Sequence, residues 1–332
     1  MRMCCARWDR GRVIETELES VFAAAGCRGR LAALEIDGPG RVSVRGDELA
    51  AAASSFKIAV GLELFCQHAA GELDLTERLR LLPTQHTPGG QGFCLFEDEV
   101  EVSLRDVARM MLTISDNTAT DVVIRRVGSD RISARLAALG LKRTEFAGTV
   151  QEFFDGLGEA VGFADYAELI HAFGQAGSPD DIASLERRYF AACSPLSGSK
   201  LHAATADEMA RLIRLIWRDE AGPAEACAAL RTMMGQQKLT RKMANGFADD
   251  AQVVTVTKSG TIGGLVSNDV GAVQFPDGRR YAVAVLTEAL VPGHASREID
   301  AAIGTAARLA VEYLRTGSPA GQVPNSRRPV SE

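Results

Sequence analysis

The sequence predicts an α/β fold: an antiparallel sheet built from both chain ends, flanked by terminal helices, with an inserted all-α domain. Three observations predict it. Two short strand candidates joined by a turn signature lie near the start, at 31–36 and 41–44. Period-two apolar alternation returns only after Gln252, in VVTVTKSG, NDVGAVQF and RYAVAVLTEA. Between them, residues 130–240 read as helix after helix. Strands at the two ends must pair with each other to complete a sheet, which makes the helical middle an insertion. The expected units are 1–48 plus 246–316 for the sheet and 49–245 for the helices, with extra material near 150–200 and a tail at 317–332.

Each element has a local reason. Residues 13–25, VIETELESVFAAA, carry helix-forming residues in an amphipathic pattern. The DGPG between the two N-terminal strand candidates is a hairpin signature. A central helix is expected from Ser54 to about Ala70, where Gly71 can end it. Residues 72–100 are mixed and include a turn-rich loop with His86. Ser103 with Asp106 resembles a capping box at the head of SLRDVARMMLTI, and SDNTATDVVIRRVG resumes as helix. The helices that follow are RISARLAALG, FADYAELIHAFG, DDIASLERRYFAAC, ATADEMARLIRLIW and AEACAALRTMMG, whose aromatic and Met positions fall at core spacing. A PDGR turn joins the last two strands, a final helix spans 296–315, and the polar, Pro-containing tail is expected to be disordered.

Composition is that of an ordinary globular protein, 46% apolar and 24% charged over 332 residues, enough to bury a substantial core. A net charge of −6 argues against nucleic acid or an anionic membrane as a main partner. The first twenty residues hold no apolar run of secretory type, and no stretch is long and apolar enough to span a bilayer. A cytoplasmic location is expected. The seven cysteines are odd in number and lack C-x-x-C spacing, which fits buried free thiols in a reducing compartment and no metal cluster.

Ser54 and Lys57 lie three residues apart where a polar stretch meets the apolar run IAVGLELF. On a helix they share a face. Burial in that run lowers an amine's pKa, and the unpaired N–H groups of a helix start can hold an oxyanion, so Ser54 is a candidate nucleophile and Lys57 its base. The same spacing recurs at Ser197 and Lys200 in SGSK, so company must decide between them. Ser54 has company: Ser115-Asp116-Asn117 punctuates the helical region, and Lys258-Ser259-Gly260-Thr261 ends the first C-terminal strand.

With these three signals in this order the chain resembles the penicillin-recognising serine enzymes, most closely the class A β-lactamases. SDNTATDVVIRRVG, the GQQKL segment and TKSGTIGG followed by two strands and a long helix all look like that family, over roughly 13–316. The resemblance implies a β-lactamase/transpeptidase-like fold and an acyl-enzyme on Ser54. Lys57 would take the serine proton, and Ser115 would pass a proton to the leaving nitrogen. The backbone N–H groups of Ser54 and Thr261 would form the oxyanion hole. Asn117 would bind the substrate's side-chain amide, and Lys258 with Ser259 or Thr261 its carboxylate. Gly260 would let substrate lie against the strand. Asp116 would orient the turn. No cofactor or metal is implied, and the partner is a small molecule, a β-lactam or a peptide-like amide or ester, taken by a monomer.

The pattern departs from the family in one loop. The family's Glu-x-x-Leu-Asn signature is absent, and no asparagine occurs from 119 to 243. Acids remain in the replaced loop: Glu152, nearest the expected register and the candidate deacylation base, then Asp155 and Glu159. Extra helical segments around 163–173 and 180–193 should cover part of the cleft. The arginine that backs the third motif from the next strand is missing, Ser267 and Asn268 standing there. Three functions follow: a serine hydrolase of the class A β-lactamase type; an amidase, esterase or acyltransferase on a peptide-like metabolite; or a binding protein that acylates and stalls on a β-lactam or cell-wall fragment.

Overall fold

The computed structural model describes residues 2–194, 202–293 and 296–316. The SGSK segment and the tail from 317 lie outside them. Helix α1 (Arg2–Ala24) begins earlier than its amphipathic part and buries Ile14, Leu18 and Phe22, one every four residues. Strands β1 (Cys27–Glu35) and β2 (Arg41–Val44) form the expected hairpin, closed by Glu35 N donating to Gly40 O at 2.9 Å. β1 starts four residues before the local pattern does, because a strand from the far end of the chain pairs along its whole length, from Cys27↔Ala289 to Glu35↔Tyr281.

A two-residue strand β3 (Ala50–Ala51) leads into a 3₁₀ turn at Ala53–Phe56 and then α2 (Lys57–Ala69), buried on nearly every side. The mixed region holds a small hairpin, β4 (Arg78–Leu81) with β5 (Val100–Ser103). Helix α3 (Leu104–Thr113) is capped by the Ser103 hydroxyl, which accepts from Asp106 N at 3.2 Å. Helices α4 (Asn117–Val127) and α5 (Ser129–Ala138) follow.

The stretch read as a loop around Glu152 is a helix, α6 (Val150–Val161). Thr149 caps it, and the Glu152 carboxylate reaches back to the Thr149 N–H at 2.7 Å, a complete capping box. Glu152, Asp155 and Glu159 are therefore helix residues. Helices α7 (Tyr166–Gln175) and α8 (Pro179–Ala192) pack on α6. Strand β6 (Ala203–Ala204) pairs with β3 before α9 (Ala206–Trp217) and α10 (Ala224–Met234). Strands β7 (Val254–Ile262), β8 (Val266–Gln274) and β9 (Arg280–Ala289) form a meander, and α11 (Ser296–Thr316) closes the described chain.

The main sheet has five antiparallel strands in the order β2-β1-β9-β8-β7, so both chain ends contribute, as expected. Alternation along β1 and β9 sorts its faces. Leu31, Ala33, Val283 and Val285 meet α1 and α11, whereas Ala32, Ala282, Ala284 and Leu286 meet the helical body through α9. The extra helices bury Leu157, Val161, Leu169 and Cys193 against Ile262, Leu265 and Val266, at the end of β7 and the start of β8. Cys27, Cys66, Cys94, Cys193 and Cys227 are free thiols. Among the described residues no helix is long and apolar enough to cross a membrane.

Asn268 ties the sheet to the turn that follows β3. Its amide donates to Ala51 O at 2.8 Å and Ala52 O at 3.1 Å, and its Oδ1 accepts from Thr287 N at 3.0 Å, all buried. Asn268→Ala removes the amide from Ala51 O and Thr287 N, while Ala52 O keeps the Ser55 N–H and hydroxyl, and is expected to cost about 2 kcal/mol. Denaturant unfolding reads this, and a loss under about 1 kcal/mol would show that water replaces the amide.

Candidate active site

Ser54 sits on the 3₁₀ turn that abuts the edge strand β7. Ala53, just before it, has φ +44°, a left-handed backbone that a non-glycine residue adopts only when its surroundings impose it. The surroundings are visible. Ala52 N donates to His202 O at 2.8 Å, and Asn268 holds the two carbonyls ahead of it. Gly260 of β7 presses so close that a Cβ there would lie 2.9 Å from Ser54 N and 3.1 Å from Ala52 O. Any side chain at 260 would push the turn off the strand. This contact also brings Thr261, the next residue on the strand, alongside Ser54.

Lys57, the first residue of α2, is wholly buried. Its Nζ lies 2.7 Å from Ser115 O, 2.8 Å from Asn117 Oδ1 and 3.2 Å from Ser115 Oγ. The 115–117 turn therefore meets the 54–57 turn as the sequence predicts. Ser115 has φ +64°, which turns its hydroxyl back toward the lysine. Asp116 holds that bend: its carboxylate caps α4 through Ala119 N at 3.0 Å and accepts from Phe93 N at 2.7 Å. Asn117 is braced by Nδ2 donating to Pro88 O at 2.8 Å.

Lys258 arrives from β7, equally buried, with Nζ 3.0 Å from Ser115 Oγ and 2.8 Å from Ser259 O. One hydroxyl thus stands between two buried amines. Burial draws the Lys57 ammonium down to about 7, against the opposing pull of Asp116 and Asp121. Burial and then the Lys57 charge push Lys258 well below lysine's usual range. A hydroxyl so placed can accept from one amine and donate to the other, a ready path for a proton.

Ser54 opens into a cavity of about 60 Å³ lined also by Phe56, Asn117, Val150, Phe153, Phe154, His202, Thr261 and Ile262. Glu152 is not among these residues. Its exposed carboxylate faces the Thr149 N–H and hydroxyl, at 2.7 and 3.0 Å, and is engaged in the cap of α6. That helix presents its neighbours Phe153 and Phe154 to the cavity instead. No carboxylate lines it among the described residues.

Four supporting residues escaped the sequence reading. Asp121, buried, accepts from Val150 N at 2.6 Å, Gln151 N at 3.0 Å and the Thr87 hydroxyl at 2.8 Å, docking the start of α6 on an anion. Gln237 accepts from Ser259 N at 3.1 Å and donates to Thr257 Oγ1 at 3.0 Å, steadying the open side of β7. Lys242 puts its Nζ 2.9 Å from both Gly260 O and Thr261 Oγ1, so an amine stands behind the third motif from the segment before it rather than from the next strand; burial lowers its pKa against the pull of Asp269 and Asp300. His202 stacks on Phe56 with ring centroids 3.7 Å apart. None of the four carried a local signal, because each contact joins residues far apart in sequence.

Comparison with known proteins agrees with this fold. The model of the Beta-lactamase enzyme family matches residues 13–314. The Beta-lactamase regulatory protein BlaB of Streptomyces cacaoi is 26% identical over 279 residues, covering 79% of this chain and 85% of that protein. Among solved structures, a β-lactamase from Sphaerobacter thermophilus superposes with a TM-score of 0.71 at 23% identity, covering 93% of this chain and 98% of the other. A mutant of PBP-A, described as an acyl-enzyme complex with penicillin G, has a TM-score of 0.67 at 19% identity, covering 92% and 97%.

Asp121→Ala removes the acceptor of two backbone N–H groups at the head of α6. Stability is expected to fall by about 2 kcal/mol, with proteolytic cutting appearing first near residues 145–155. Unchanged melting and no cutting there would mean that α6 docks through its apolar face alone.

Proposed function

The chain belongs to the Beta-lactamase enzyme family, and from that premise we propose that it is a serine acyl-transfer protein of the class A type whose acyl group leaves slowly. Ser54 Oγ attacks the carbonyl of a β-lactam or a related peptide-like amide, and its proton passes to Lys57, directly or through one water. The oxyanion is received by the backbone N–H groups of Ser54 and Thr261. As the C–N bond breaks, Ser115 gives its proton to the leaving nitrogen and is reprotonated from the lysines on either side. The product is an ester on Ser54. Asn117 holds the side-chain amide. A substrate carboxylate meets Lys258 and the hydroxyls of Ser259 and Thr261, with Lys242 behind Thr261 taking the place of the missing arginine.

The observation that carries this reading is an asymmetry. Two buried amines converge on Ser115 beside the nucleophile, while the facing wall is Val150, Phe153 and Phe154 with no carboxylate. Amide opening needs the first feature. Rapid hydrolysis of the ester needs a base to activate water, which the wall does not supply. A long-lived ester also suits a reporter of β-lactams or cell-wall fragments, and the Streptomyces relative is named a regulatory protein. An amidase or esterase on another acyl donor is the second reading, and the apolar wall is compatible with it.

Mixing the protein with a chromogenic cephalosporin and following colour with intact mass separates these readings. A single burst of colour with a lasting adduct on Ser54 is expected, and Ser54→Ala should give neither. Steady turnover at an undiminished rate would sink the slow-release proposal; an adduct in Ser54→Ala would remove Ser54 as nucleophile.

A second test uses pH. Lys57 must be neutral to accept a proton, and its ammonium ionises at about 7. Below that value the competent fraction, and with it the rate of adduct formation, should fall about tenfold per pH unit. Above it the rate should level off. A profile flat between about pH 5 and 8 would take Lys57 out of the proton path.

A further inference from the structure

Phe154 lines the cavity beside Ser54 and also packs on Tyr166, at the head of α7, with ring centroids 4.5 Å apart. Tyr166 is not among the lining residues, so it stands behind Phe154. Phe153 adds a second ring to the wall, 5.2 Å from the first. Both phenylalanines are half-buried rather than sealed, which leaves them surface that a bound group can touch.

This wall yields to a bulky group only if α6 can move back. Asp121 pins the head of the helix by two backbone N–H groups. Gly158, one turn beyond Phe154, sits so close to α7 that a Cβ there would overlap the Asp165 carbonyl. Leu157, Leu169 and Cys193 then seat α6, α7 and α8 together against Ile262 and Leu265. Packed side chains braced in this way give little ground. The extra helices thus act as a backstop to the cavity wall.

The space in front of the wall is small. An apolar cavity of about 150 Å³ takes up one benzene ring. The cavity beside Ser54, at about 60 Å³, has room on that scale for about two or three non-hydrogen atoms. A ring brought against the wall would overlap Phe154 or drive it into Tyr166, and overpacking of apolar side chains is costly.

We propose that Phe154, backed by Tyr166, is a specificity-determining residue that holds the group beside the reacting carbonyl to methyl or hydroxyethyl size and slows donors that carry an aromatic ring there. The proposal rests on the acyl-serine reading and narrows the substrate class of that site.

The test compares p-nitrophenyl acetate with p-nitrophenyl phenylacetate, which share a leaving group and differ by one phenyl ring on the acyl group. Second-order rates of Ser54 acylation are read from nitrophenolate release and intact mass, with Ser54→Ala as the blank. The ratio of the phenylacetate rate to the acetate rate is expected to rise about tenfold in Phe154→Ala. Phe154→Leu, a milder truncation, should move the ratio the same way by less. An unchanged ratio in either folded variant, whether both rates fall together or neither moves, would overturn the proposal. A second measurement needs neither acylation nor a variant at 154. In Ser54→Ala protein, xenon should shift the ring resonances of Phe153 and Phe154, and benzene should leave them in place. A shift with benzene, or none with xenon, overturns the size limit even if Ser54 acylates normally. A response to xenon alone in a protein that never acylates leaves the limit standing and removes the Ser54 chemistry.

Discussion

The site depends on one hydroxyl held between two buried amines. Ser115 Oγ is 3.2 Å from Lys57 Nζ and 3.0 Å from Lys258 Nζ, and both lysines are cut off from water. Two full ammonium charges at that separation in a dry interior repel strongly, so burial and repulsion together push protons out of the pair. The proton inventory then belongs to the Lys57–Ser115–Lys258 unit rather than to any one member. Much of the surrounding architecture serves to hold these groups together. The left-handed backbone at Ser115, the Asp116 cap and the close seat of Gly260 on the Ser54 turn each fix one corner.

The corners were legible in the sequence because each is a short polar signal at a break in apolar periodicity. Ser54-x-x-Lys57 precedes a buried helix, Ser115-Asp116-Asn117 precedes a capped one, and Lys258-Ser259-Gly260 ends a strand. That the two chain ends share one sheet was legible for a related reason: the long period-two segments lie at the two ends, whereas the short β4–β5 hairpin in the middle went unread. The extent of β1 was not legible, since residues 27–30 become strand by pairing with residues 286–289. The roles of Lys242, Asn268 and His202 were illegible for the same cause. Each acts through a contact with residues 18 or more positions away, which no window on the chain contains.

The misreading at Glu152 has a different origin. The expectation of a loop came from register against a family pattern, while the local residues Thr149 and Glu152 spelled a helix start. The carboxylate placed nearest the expected base position is committed to that start. Once α6 forms, its period sends Phe153 and Phe154 toward Ser54 and leaves Glu152 in solvent. Asp121 then fixes the helix by its first two N–H groups, so the apolar wall is built in and does not depend on a mobile loop.

In the proposed reaction that wall would have opposite effects on the two halves. Its apolar side chains would lower the local dielectric, which favours neutral amines and strengthens dipoles aimed at an oxyanion, so ester formation would gain. In the same cavity the water molecules beside the ester would meet, among the described residues, no carboxylate that could hold or activate them. An acyl group that fills it with apolar atoms displaces them. The rate of release should therefore depend on what the acyl group leaves unfilled rather than on the strength of any base, and a bulkier donor should make the longer-lived adduct. In a hydrolase with a carboxylate on that wall the dependence would be weaker, because the base would hold a water of its own.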